Sequence, residues 1–229
     1  MNGHDAVFAE WDGWLETIKN DVTNLSVNRH IFREVQKIVE ANPRIHLASD
    51  FYEWMGSVYA HYASIGLRRQ IDKDERTISL RRLLEKIKDQ PEVLSRERYV
   101  ALWDDPVLRK RFADGQFNEF TGPGKPHIDP AMVEEDVSQL VKKIESVKGY
   151  VDKRIAHYDR QGPTTLPTYA DLNECLDFVE VLLRKYLNVF RAEMRPRILP
   201  VWQYDWKQIF RHPWIPPAEA TRKGRDHEA

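Results

Sequence analysis

Between Val133 and Ile155 the residues Val133, Val137, Leu140, Val141, Ile144, Val147, Val151 and Ile155 recur at intervals of three or four, broken only by the adjacent pair at 140 and 141. That spacing follows one face of a helix with 3.6 residues per turn, so the stretch predicts a long α-helix buried along one stripe. Asp129 followed by Pro130 supplies its start. The carboxylate can cap free backbone N–H groups, and proline suits the first helical position, where no N–H is needed. A chain committed to such a helix must also supply the elements that cover its stripe.

The placement of proline indicates where those elements lie. None occurs from Leu47 to Gln90, and proline is the residue that helix interiors tolerate least. The segment ASDFYEWMGSVYAHYASIGLRRQID opens on Ser49 or Asp50 as a cap and repeats aromatic and small residues at helical spacing. TISLRRLLEKIKD follows, with a stripe of Ile78, Leu80, Leu83, Leu84 and Ile87. FTGPGKPHIDP and RQGPTTLPT read as loops. Thr168 with Asp171 forms a capping-box pattern before Leu172, Leu176, Phe178, Val179, Val181, Leu182, Leu183, Tyr186, Leu187 and Phe190. Short helices are expected through SRERYVALW and after Asp105, and an amphipathic N-terminal segment around Trp11, Trp14 and Ile18.

No run alternates with period two between turn signals, so no sheet is expected. The predicted class is all-α: a helical bundle with long antiparallel helices and an appended C-terminal segment. With 41% hydrophobic residues and seven Trp in 229 residues, the chain can bury one sizeable core. Residues 1–217 are expected to form a single helical domain and 218–229 a disordered tail.

Charge narrows the function classes. Lys and Arg total 35 against 36 Asp and Glu, so no general attraction to nucleic acid or to anionic membrane arises, and a nucleic-acid site must be local. Cys175 is alone and stands among Leu172, Leu176 and Val179, as a small core residue would. MNGHDAVFAEWDGW lacks the basic and apolar regions of a secretory leader, and no window reaches the length of a membrane span. The expectation is a cytoplasmic protein with no membrane partner.

Several catalytic patterns are absent. TGPGKP lacks the spacing of a phosphate-binding loop and places Pro after its Lys. None of the eight His has a carboxylate three residues earlier, and neither H-E-x-x-H nor G-x-S-x-G occurs. No metal and no cofactor is therefore expected.

The segment KGYVDKRIAHYDRQ remains, at the end of the predicted long helix. At about 100° per residue, Ile155 continues the apolar stripe, whereas His157 points roughly 130° from its centre. Tyr150, Lys153 and Arg154 share the flank of His157, and Asp152 projects to the other side. Imidazole can move a proton near neutral pH, and a guanidinium can grip a phosphate with two parallel hydrogen bonds. Nearby cations would lower the His157 pKa and favour a neutral base. With the RNA 2′-hydroxyl as internal nucleophile, such a pair needs no metal and leaves a 2′,3′-cyclic phosphate. The competing reading is a solvated helix C-terminus, where His, Lys and Arg complement the macrodipole.

VKGYVDKRIAHYDR resembles the active-site helix of HEPN (higher eukaryotes and prokaryotes nucleotide-binding) domains, in the abortive-infection toxin-like branch. There, Ala-His-x-Asp precedes a proline-containing loop and a further helix. The similarity extends to YASIGLRRQIDKDERTISLRRLLEKI and YDWKQIFRHPWI. It implies an all-helical bundle, usually dimeric, and a metal-independent ribonuclease of the toxin–antitoxin and phage-defence kind. Its implied partners are RNA, a second copy and an antitoxin protein. His157 then becomes the proton-transfer group, Arg154 the phosphate clamp, and Lys153, Arg68, Arg69 and Tyr150 RNA contacts. HEPN ribonucleases carry Arg, then four to six residues, then His; the corresponding positions here are Asp152, Val151 and Tyr150. This departure sustains a second expectation, an inactive module of the same fold that binds RNA, nucleotide or a protein. The family's modified tyrosine, two residues beyond the His, is matched by Asp159, so that regulation is not carried over.

Arg68 to Lys88 contains eight Lys or Arg against four Asp or Glu and is the candidate RNA-backbone surface. Its arginines could equally pair with Asp72, Asp74 and Glu75. His61 precedes Arg68 by seven residues, two turns along one face. Phe51, Tyr52, Trp54, Tyr59 and Tyr62 suit a helix interface or a base-stacking platform. PVWQYDWKQIFRHPWIPP, with three Trp, is expected to pack over the bundle or across a dimer contact.

Overall fold

The computed structural model describes residues 3–155, 160 and 166–214. Its helices are α1 (Gly3–Glu40), α2 (Asp50–Gln70), α3 (Leu80–Asp89), α4 (Arg96–Ala101), α5 (Pro106–Leu108), α6 (Asp114–Thr121), α7 (Pro130–Tyr150) and α8 (Tyr169–Arg191). No strand occurs among the described residues, and extended pairing is confined to one bridge between Ser95 and His127. The chain divides into two units, Met1–Leu199 and Pro200–Ala229.

In the first unit the helices begin where the sequence supplies caps. Ser49, Ser79, Ser95, Asp105, Asp129 and Thr168 each accept a hydrogen bond from the backbone of the helix that follows. Thr168 and Asp171 complete a reciprocal capping box. Because the cap is Ser79, Ile78 precedes α3 and is exposed, unlike Leu80, Leu83, Leu84 and Ile87, which are fully buried. The turn predicted after Asp105 continues through a π-helical stretch, Arg109–Ala113, into α6.

α1 is the longest element at 38 residues and reaches well past the segment around Trp11 and Ile18. Val22, Leu25, Phe32 and Val35 keep the same face buried, so polar residues such as Asn24, Asn28 and Arg29 lie beside a continuous stripe. α2 packs on this helix closely enough that a Cβ on Gly66 would lie 2.5 Å from Leu25 Cδ2. α3 lies against α7, and α8 contacts α1, α2 and α7. On α7, Val133, Val137, Leu140, Ile144 and Val147 are buried. On α8 every predicted core residue is buried except Phe178, which is half-buried, and Val181, which faces outward. Cys175 is buried, its thiol donates to the Lys143 carbonyl, and burial pushes its pKa up to about 11. It is a core residue with no nucleophilic character at neutral pH.

Ion pairs tie the layers at their edges. Arg29 on α1 reaches Asp177 and Glu180 on α8, Arg191 reaches back to Asp12 and Glu16, and Asp136 on α7 accepts from Lys185 and Tyr186.

Within the second unit, Asp205 caps a 3₁₀ turn, Trp206–Arg211. Trp202, Trp206, Phe210 and Trp214 recur every four residues and meet ring to ring, with centroids 5.9, 6.2 and 5.7 Å apart. The tail predicted for 218–229 lies outside the described residues.

Candidate functional site

α7 keeps regular winding as far as Tyr150 and then changes. Val151–Ile155 is a π-helical turn with i→i+5 bonding, and such turns recur at functional sites. The 100° arithmetic applied from Val133 through His157 therefore holds only to the end of α7. Val151 remains buried and Ile155 packs partly against the core, so the apolar stripe survives the change. His157, the predicted proton-transfer group, lies outside the described residues.

The turn brings together groups from two helices. Asp152 accepts from Arg68 Nε of α2 at 3.2 Å and from Lys148 Nζ at 2.9 Å. Arg68 also contacts Asp72 at 3.3 Å. Burial alone would raise the Asp152 pKa, but the hydrogen bonds from Lys148 and Arg68 outweigh it and hold the carboxyl below its ordinary range. Asp152, expected to stand away from the reactive flank, is thus the anchor between α2 and the π turn. Its pairing with Lys148 at i,i+4 was readable from spacing, whereas its pairing with Arg68 needed the fold.

Tyr150 also faces α2, its ring 6.3 Å from that of His61. His61 is exposed, with Nδ1 2.7 Å from the Ser57 carbonyl. A carbonyl oxygen only accepts, so Nδ1–H is the donor in this contact. The two-turn spacing of His61 and Arg68 thus places both beside the end of α7.

The remaining predicted residues divide by their partners. Lys153 is half-buried and Arg154 exposed, and neither has an ion-pair partner among the described residues. Arg69 pairs with Asp21 at 3.2 Å. Burial raises the Asp21 pKa against the opposing effects of Arg69 and Gln70. Within the basic stretch, Arg76 pairs with Asp74, Arg81 with Glu85 and Lys88 with Glu134, while Lys86 lies over the Trp14 ring. Five of the eight cations of that stretch thus have carboxylate partners, while Lys73, Arg82 and Lys86 have none among the described residues, as Lys153 and Arg154 have none on the π turn. No group of three or more His, Cys, Asp or Glu converges to hold a metal ion among the described residues. No helix among them is long and apolar enough to cross a membrane.

An all-helical bundle whose best-defined helix runs into a basic turn at the Ala-His motif has the architecture of a HEPN domain. The AbiU2 family model, of the HEPN class, matches residues 8–206, and the chain belongs to that abortive-infection-related family. No curated protein matches the chain. No solved structure matches it.

Proposed function

We propose that this protein is a metal-independent endoribonuclease of the HEPN abortive-infection toxin type, working as a homodimer that an antitoxin protein restrains. Membership of the AbiU2 family supports the class. The observation that carries the proposal to a site is the pair of cations Lys153 and Arg154, which have no ion-pair partner among the described residues and stand one residue before the Ala156-His157 motif.

In this reading His157 removes the proton from an RNA 2′-hydroxyl. The resulting oxygen attacks the adjacent phosphorus, the P–O5′ bond breaks, and the departing 5′-oxygen takes up a proton. The products are a 2′,3′-cyclic phosphate and a 5′-hydroxyl. Arg154 neutralises the charge that builds on the non-bridging oxygens. Lys153 and Tyr150 meet the strand beside the scissile bond, and Arg68 and Arg69 contact neighbouring phosphates by exchanging carboxylate partners for phosphate.

A second reading rests on Val151. It occupies one of the positions where a HEPN ribonuclease carries its arginine, and it is buried in the core. An inactive domain that binds RNA, nucleotide or a protein fits that substitution.

The deciding experiment is incubation of a mixed RNA pool with purified protein in EDTA, beside His157→Ala and Arg154→Ala, with product ends analysed. The proposal expects cyclic phosphate ends from the wild type and none from His157→Ala. Absence of cleavage, or equal cleavage by all three, selects the binding module.

A further inference from the structure

We propose that α2 carries the face through which two copies of this chain pair, in antiparallel register about Val58. The inference builds on the homodimeric reading above and names the surface that reading leaves unspecified.

The starting observation is an apolar stripe on the wrong side of a helix. α2 buries Tyr59, Ala63 and Leu67 toward the bundle. Its opposite side presents Phe51, Trp54, Val58, Tyr62 and Ile65, which are 45%, 60%, 49%, 39% and 42% exposed. At 100° per residue these five fall within about 80° of one another, centred on Val58 and well away from the buried face. The aromatic cluster predicted as a helix interface therefore divides: Tyr59 is core, and Phe51, Trp54 and Tyr62 are surface. Contiguous exposed apolar surface of this kind marks interaction sites. Ile45 and Leu47, ahead of α2 in the chain, are also exposed, at 38% and 66%.

The arrangement of the stripe indicates its occupant. A two-fold axis requires a surface that is complementary to itself, with each residue meeting its mirror position on the other copy. Trp54 and Tyr62 stand four residues to either side of Val58, and Phe51 and Ile65 seven. An antiparallel pair of α2 helices thus sets Val58 on Val58, Trp54 against Tyr62 and Phe51 against Ile65. Every step of this register sets an apolar or aromatic side chain against another. Charge agrees with this direction: Asp50 and Glu53 lie in the first turn of α2 and Arg68 and Arg69 in the last, so the acidic end of each helix approaches the basic end of the other. A parallel pairing would set like charges together.

The stripe is about 21 Å long, and a lone helix pair of that length covers less than the roughly 800 Å² per partner typical of a stable interface. The contact must therefore widen onto its shoulders, where Met55 and His61 stand three residues to either side of Val58. The pairing then brings His61 of each copy within about 9 Å of the partner copy's His61 along the helix axis. His61 touches Tyr150, so the two candidate sites become neighbours across the two-fold.

The test is the mass of the full-length protein in solution at micromolar concentration, together with oxidative cross-linking. Wild type should be a dimer, and Val58→Glu should weaken dimerisation at least tenfold while leaving the helical circular dichroism unchanged. Val58→Cys should form a disulfide-linked dimer readily, because only a residue on the axis meets itself. Val181→Cys, exposed on α8, should not. A monomeric wild type, or a dimer indifferent to Val58→Glu and to cross-linking at position 58, overturns the proposal. So does a monomer whose RNA affinity falls on substitution of Trp54 or Tyr62, which would make the stripe a stacking platform. Assaying RNA cleavage on the same samples separates the two claims. A dimer through Val58 without cleavage refutes the nuclease and keeps the interface, whereas a cleaving monomer does the reverse.

Discussion

The two ends of α7 are built on different principles. The N-terminal end starts on the Asp129 cap and buries Val133, Val137 and Leu140 against a bundle in which the facing α3 leucines are fully covered. The C-terminal end loses α-helical winding at Val151, holds its position through Asp152 pairing with Lys148 and Arg68, and leaves Arg154 exposed without an ion-pair partner among the described residues. Apolar burial fixes the first end, and charge arranges the second. Packed cores tolerate little change, while exposed ion pairs contribute modestly to stability and can be reassigned to a ligand. The RNA site proposed above lies at the second end.

Substitutions along α7 should follow that gradient. Leu140→Ala removes a fully buried side chain and should cost about 2–5 kcal/mol in urea unfolding; a loss under about 1 kcal/mol would break the comparison at its packed end. Asp129→Ala deletes the cap that accepts from the Ala131 N–H and should cost about 1 kcal/mol. Asp152→Asn weakens two partly exposed pairs and should cost no more than about 1 kcal/mol, less in high salt.

The Asp152 effect should depend on pH with a defined sign. The folded pKa is depressed, so the carboxylate's contribution is present above the ordinary aspartate value, about 3.9, and is lost as pH falls through the lower folded value. The stability gap between wild type and Asp152→Asn should therefore be constant near neutrality and close below pH 4. A gap that widens on acidification would contradict this assignment. Arg154→Ala should move the unfolding midpoint least, within about 0.5 kcal/mol of wild type, and any larger loss would show that the second end also carries the fold.

The helices were legible because their signals are local. Asp129-Pro130, the Thr168 and Asp171 box and the 3,4 spacing of the α7 stripe each specify an element without reference to the rest of the chain. α1 beyond Ile18 was less visible, since Val22, Leu25, Phe32 and Val35 are separated by polar residues whose outward orientation only the bundle defines. The site was legible in part. The concentration of cations before His157 was apparent in sequence, and Arg154 and Lys153 lack carboxylate partners among the described residues. The fates of Arg68 and Arg69 were not apparent, because Asp152 and Asp21 lie 84 and 48 positions away in sequence, at 68 against 152 and 69 against 21. Nor could spacing reveal the π turn at Val151–Ile155.

The central claim is that the basic end of α7 is a reactive site. The most direct measurement is single-turnover RNA cleavage in EDTA by wild type and His157→Ala, with cyclic phosphate ends counted. The account predicts cyclic ends from wild type and at least a hundredfold fewer from His157→Ala, the order of effect expected when a proton-transfer group is removed. Equal cleavage by the two proteins, or no cleavage by either, would contradict it.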